Sequence, residues 1–129
     1  MAEGSDVVTK VSPWSISDTL SRLVAVINAS DYRLIGVVDY GAEAEALGVE
    51  PNQSKLAIFG DPETDAIVMK TVPFAALDLT LKVLVWSDQG TTLISYLAHS
   101  DLSQRYDLDP DLLERLPTVD SVTEAVIAL

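Results

Sequence analysis

His99 is the only imidazole in this 129-residue chain, and there is no cysteine. Every His-dependent mechanism would have to run through one residue. Disulfides, thiolate zinc sites, iron–sulfur clusters and cysteine nucleophiles are excluded outright. His99 lies in Ala98-His99-Ser100-Asp101. A Ser–His–Asp relay needs its base between nucleophile and orienting acid in space, which adjacent residues rarely achieve. Ser100 or Asp101 reads instead as a helix cap, with Gln104 completing a box from Asp101. No catalytic residue is assigned.

Carboxylates are the abundant reactive groups. Asp107, Asp109 and Asp111 open like a calcium loop, as do Asp61, Glu63 and Asp65. An EF-hand then needs Gly at position six and Glu at position twelve. Those positions hold Leu112 and Thr118 in the first segment, and Ala66 and Val72 in the second. Both clusters fall at helix starts, where unpaired amides and the helix dipole stabilise acids. Capping is the reading, and neither a metal nor a cofactor is expected.

The strongest ligand-site candidate is Gly60-Asp61-Pro62 at one strand end, beside Asp39-Tyr40 at another. Strand-to-helix turns bring free N–H groups and polar tips together, as small-ligand sites require. The acids make a neutral or cationic ligand the suitable class. Trp86, on a sheet face with Lys82, Leu84, Leu93 and Leu97, completes the candidate set as part of an oligomer interface or an apolar cleft. The plainer reading is that Gly60 permits a tight turn, Asp61 caps a helix and Trp86 joins a core. A chemical alternative is a small lyase or isomerase using Asp39 and Asp61 as carboxylates with Tyr40 as acid, since burial can separate the pKa values of two carboxylates.

Composition bounds these options. Twenty acidic residues against eight basic ones give a formal charge of -12. Affinity for a phosphate backbone comes from Lys and Arg displacing counterions, so nucleic acid and anionic membrane are poor partners. No apolar run approaches the roughly 20 residues of a membrane span. The acidic opening MAEGSD is unlike the basic-then-apolar start of a signal peptide. A soluble, cytoplasmic protein is expected. At 48% hydrophobic the chain has ample core material, and residues 1–129 read as one domain.

The elements that must position these groups are legible from spacing. Val7–Val11 is a short β-branched strand. Ser15 caps a helix whose Ile16, Leu20, Leu23 and Ile27 recur on one face. Leu34–Val38 reads as a buried strand, Gly41–Leu47 as a short helix closed by Gly48, and Lys55–Phe59 as the next strand. Asp61-Pro62 opens a helix that Pro73 stops near Thr71. Leu79–Trp86 alternates, with Leu79, Leu81, Val83 and Val85 on one side. A four-residue loop, Ser87-Asp88-Gln89-Gly90, leads to the strand Thr91–Leu97, so that Trp86 faces Thr91 and Val83 faces Ile94. Short helices follow from about Ser100 and from Asp109-Pro110, and Val122, Val126 and Leu129 form a docking stripe. This order predicts an α+β fold, an antiparallel sheet covered by helices.

An ordered set of short motifs resembles the family called domain of unknown function 302, from roughly Ser12 to Leu108. Its carriers are Thr19-Leu20 with Leu23, Val38-Asp39 with Ala44, Ile58-Phe59-Gly60 before Pro62, Met69, Pro73, Leu77-Asp78-Leu79, Leu84-Val85-Trp86, Ser95-Tyr96 and Arg105-Tyr106. The resemblance implies a TATA-binding-protein-like fold, β-α-β4-α, and homo-oligomers. A fold name does not carry function, so DNA binding is not implied. The chain departs from the family pattern at polar positions. Asp39-Tyr40 stands where Asp-His is usual, Gly60-Asp61-Pro62 for Gly-Asn-Pro, Asp65-Ala66 for Gly-Thr, and Leu79-Thr80-Leu81 for Leu-Pro-Leu. Any site the family builds from that His and Asn is altered or lost here. The expected object is a homodimeric module binding a small ligand or a protein, with Trp86 at or near the subunit contact.

Overall fold

The computed structural model describes residues 7–50, 53–98, 106, 110–111 and 119–128. Five strands form one fully antiparallel sheet: β1 (Val7–Val11), β2 (Arg33–Asp39), β3 (Ser54–Gly60), β4 (Leu81–Asp88) and β5 (Thr91–Leu97), in the order β1-β5-β4-β3-β2. β1 and β2 lie at opposite edges. The chain crosses between them through α1 (Ile16–Asn28), which packs on β2, β3 and β4. Helix α2 (Tyr40–Ala46) follows β2. Helix α3 (Pro62–Thr71) and a 3-10 turn (Pro73–Leu77) separate β3 from β4, and α4 (Val119–Ile127) lies against α1.

The helices start and stop where their end residues dictate. Ser15 Oγ accepts the Asp18 N–H at 3.0 Å and opens α1. Helix α2 closes in a Schellman motif. The Val49 N–H donates to Ala44 O at 2.9 Å and the Gly48 N–H to Glu45 O at 3.0 Å, with Gly48 at φ 76. Val72 is extended ahead of Pro73, which ends α3 at Thr71 as expected.

One face of the sheet carries the core. Ala57 and Phe59 from β3, Leu81, Val83 and Val85 from β4, and Ile94 and Tyr96 from β5 pack against Leu23 and Ile27 of α1 and Val119, Val122 and Val126 of α4. Ile16 and Leu20 extend the α1 stripe with partial burial. Thr19 is buried on the same helix because its hydroxyl pairs with Ser12 Oγ at 2.7 Å, so neither oxygen is left unsatisfied. Two cations tie α4 down. Arg22 donates to Val126 O and Ala128 O, each at 2.7 Å, while its guanidinium lies 4.3 Å from the Trp14 ring centre. Lys10 reaches Asp120 Oδ1 at 2.9 Å and Glu124 Oε1 at 3.1 Å, and Tyr96 donates to Asp120 Oδ1 at 2.5 Å. Burial alone would lower the Lys10 pKa, but its hydrogen bonds to Asp120, Tyr96 and Glu124 outweigh that and raise it.

Two expectations about β4 are corrected. Leu79 does not join the alternating strand. β4 begins at Leu81, and Leu79 packs with Val68 and Ala75 in a second small cluster. The β4–β5 loop has two residues, since Asp88 pairs with Thr91. Gln89 at φ 49 and Gly90 at φ 87 make the doubly left-handed turn whose twist suits a tight hairpin. Trp86 therefore faces Leu93 and Val85 faces Ile94, a shift of two residues that leaves every side chain on its expected face. Gly90→Val is expected to destabilise the protein by about 1–3 kcal/mol through its backbone alone, because nothing lies within 4 Å of the added Cβ position. Urea unfolding checks it, and Thr91→Val serves as the neutral comparison.

His99, Asp107, Asp109, Leu129 and the helix expected from Ser100 fall outside the described residues.

Candidate functional site

The sheet separates the residues that sequence reasoning placed together. Asp39 pairs with Lys55 at one end of the β2–β3 ladder, and Arg33 pairs with Gly60 at the other. Six residue steps of strand separate Arg33 from Asp39, or roughly 20 Å at the strand rise. Asp39-Tyr40 and Gly60-Asp61 therefore occupy opposite ends of the sheet. Strand polarity is the physical reason: in an antiparallel pair, the end of one strand meets the start of its neighbour. The lyase or isomerase alternative loses its geometric premise, because Asp39 and Asp61 cannot act on one substrate atom.

At the first end, Asp39 caps α2 by accepting the Ala42 N–H at 2.9 Å, and its other oxygen lies 3.7 Å from Lys55 Nζ. Tyr40 is exposed at the helix start. Trp86 is near in sequence register, paired with Ser54, but it projects from the opposite sheet face. There its indole N–H donates to Ser95 Oγ at 2.9 Å, and Ser95 Oγ lies 2.9 Å from Thr9 Oγ1. This polar row crosses β4, β5 and β1.

At the second end, Asp61 caps α3. Its oxygens accept the Thr64 N–H at 3.3 Å and the Thr64 hydroxyl at 2.9 Å. Gly60 has no left-handed backbone. It is the buried last residue of β3, and a Cβ there would stand 3.1 Å from Asp65 Oδ2. The tight-turn expectation is replaced by close approach of a carboxylate. Burial, with the Asp61 charge adding to it, raises the Asp65 pKa from 3.8 to about 6, while a hydrogen bond from the Asp61 backbone opposes the rise. Beside Asp61 lies an open groove of about 540 Å³, lined by Val26, Ala29, Ser30, Asp31, Tyr32, Ser121 and Val122. Sequence reasoning passed over Asp31 and Tyr32. The one signal was their position directly after α1, where a helix C-terminus and a strand start must meet. Among the described residues no three His, Asp or Glu side chains converge as metal ligands would.

The model of the family described as Domain of unknown function DUF302 matches residues 8–126. The chain belongs to this family. A crystal structure of an uncharacterized conserved DUF302 protein from Bacillus stearothermophilus superposes with a TM-score of 0.78 over 95% of each chain. At 17% identity that likeness concerns the DUF302 fold alone. Two curated relatives are the fluoride-specific ion channel FluC 1 of Brucella suis biovar 1 (strain 1330) and FluC 2 of Brucella melitensis biotype 1 (strain ATCC 23456). Each is 30% identical over 105 residues, or 81% of this chain, and the match takes up 41% and 39% of their lengths. The chain thus spans about two fifths of these relatives. No helix among its described residues is long and apolar enough to cross a membrane. The DUF302 sheet with its flanking helices bears out the expected α+β architecture.

Proposed function

We propose that this DUF302 chain is a non-enzymatic binding module that works as a homodimer, joined through the open face of its sheet. The observation that carries this reading is the composition of that face. Leu56, Ile58, Leu84, Trp86 and Leu93 are half-buried there and belong to neither described hydrophobic cluster, while Val11 and Leu97 at the margin are 62% and 63% exposed. A contiguous apolar area of this kind marks an interaction surface. Its polar atoms are already paired in the Trp86–Ser95–Thr9 row, which reduces the cost of drying it. The strand positions facing this side carry Lys82 near the start of β4, Arg33 at the start of β2 and Asp88 at the hairpin tip. A chain of charge -12 can approach its own copy only through such an acid-poor surface. A two-fold contact then buries the same side chains from both subunits.

Sedimentation tests this. The wild-type chain is expected to run as a dimer, and Trp86→Glu and Leu84→Asp as monomers with unchanged circular dichroism. A wild-type monomer at high protein concentration in both low and high salt would sink the homodimer.

The Brucella relatives favour a second occupant of the same face. In them a segment like this chain forms part of a longer protein described as a fluoride-specific ion channel. A DUF302 module of this kind could dock on such a channel. Co-purification with a coexpressed fluoride channel, abolished by Trp86→Glu, would favour that occupant over the second copy.

A further inference from the structure

We propose that the groove between the C-terminal end of α1 and the start of α4 binds a small aliphatic amine in its ammonium form. This inference is independent of the dimer reading and concerns the opposite side of the sheet. The volume, about 540 Å³, lies in the range of small-molecule sites. Its lining is of three kinds. Val26, Ala29 and Val122 offer an apolar floor for an alkyl chain, Tyr32 an aromatic wall, and Asp31 and Asp61 two carboxylates for a cationic head. An ammonium group is attracted both by carboxylates and by the face of an aromatic ring.

Among the described residues the walls of the groove carry more acid than base, with Arg33 following Tyr32 and paired with Gly60 on β3. The end of α1 presents the negative pole of its dipole, and no basic residue stands in its last turn. On the other wall α4 begins, with Asp120 in its first turn ion-paired to Lys10. Among the described residues no Lys or Arg lines the groove. Lys10 and Arg22, the cations tied to α4, are engaged with Asp120, Glu124 and the α4 carbonyls. Neither Asp31 nor Asp61 has an ion-pair partner among the described residues. Thr64 holds the Asp61 carboxylate in place through two hydrogen bonds while leaving each oxygen a further lone pair. A phosphate or carboxylate ligand would meet repulsion here, and an uncharged alcohol would gain only the floor.

Amide chemical-shift titration of the full chain with n-butylammonium tests the assignment, with n-butanol and calcium as parallel arms. Saturable shifts confined to Ala29, Ser30, Asp31, Tyr32, Asp61 and Ser121 are expected with the amine. Combining Asp31→Asn with Asp61→Asn should weaken binding by about tenfold or more, while Glu45→Gln, on α2 at the far end of the sheet, changes it by less than about twofold. Asn caps helices as well as Asp, so the double variant should remain folded, which its own amide spectrum verifies. Equal weakening by Glu45→Gln would reveal diffuse attraction to an acidic surface and overturn the proposal. So would butanol binding as tightly as the amine, or calcium producing the same shifts. The monomeric Trp86→Glu variant should bind the amine unchanged, so failure of the dimer and failure of the groove are separately visible.

Discussion

Phe59→Ala is expected to lower the free energy of unfolding by about 3–5 kcal/mol, the range for emptying a large aromatic site in a packed core. Phe59 has no exposed surface, sits on β3 between Leu34 of β2 and Leu81 of β4, and meets the Tyr32 ring at 5.9 Å between centres. The strands on either side are held by their ladders, so the site cannot collapse to fill the space. Against a total stability of about 5–15 kcal/mol for an ordinary domain, this single change would leave a marginal protein. Urea unfolding followed by far-ultraviolet dichroism measures it. Phe74→Ala is the informative comparison. Phe74 is 65% exposed and meets the Tyr106 ring at 5.8 Å between centres, so its loss should cost far less. Equal costs for the two would show that β3 is not the centre of the core.

Asp65→Asn is expected to stabilise the protein at neutral pH and to do nothing in acid. The folded state raises the Asp65 pKa from 3.8 to about 6, first by burial and then by the Asp61 charge. A carboxyl whose folded pKa lies above its unfolded value binds its proton more tightly when folded. Its stabilising contribution is therefore complete below the unfolded pKa and is lost as pH rises through about 6. Above that range the ionised Asp65 opposes folding, and Asn removes the charge while keeping the shape. The site is partly solvated, so the full shift cannot be converted to stability. A gain on the order of 1 kcal/mol at neutral pH is expected after solvent screening. Denaturant midpoints of both proteins near pH 4 and near pH 7 test the sign. A gain of equal size at both pH values would assign the effect to helix propensity in α3 instead of charge.

The candidate site was legible only where local chemistry decides. Asp61 caps α3 and Asp39 caps α2 because a side-chain oxygen beside unpaired amides needs nothing from the rest of the molecule. Whether the two caps adjoin depends on strand direction and register, which no local pattern carries. Trp86 was placed on the open face by alternation, and it is there. Its partners Ser95 and Thr9 come from strands nine and more than seventy residues away, so no spacing rule could join them.

Three things about this protein follow from the sequence alone: the helix faces, the strand periods and the chain's acidity. Each rests on interactions within a few residues or on a simple sum of charge. Leu20, Leu23 and Ile27 had to share a face, and α3 had to end before Pro73. The tertiary structure decided what depends on distant chain meeting distant chain. It chose Phe59 over Phe74 for the core and set Asp39 and Asp61 at opposite ends of β2 and β3. It also brought Asp31 and Tyr32 to the groove wall beside Val122. The physical reason is that a side chain's burial and neighbours are fixed by the packing of whole elements, and that packing is determined by all their faces at once.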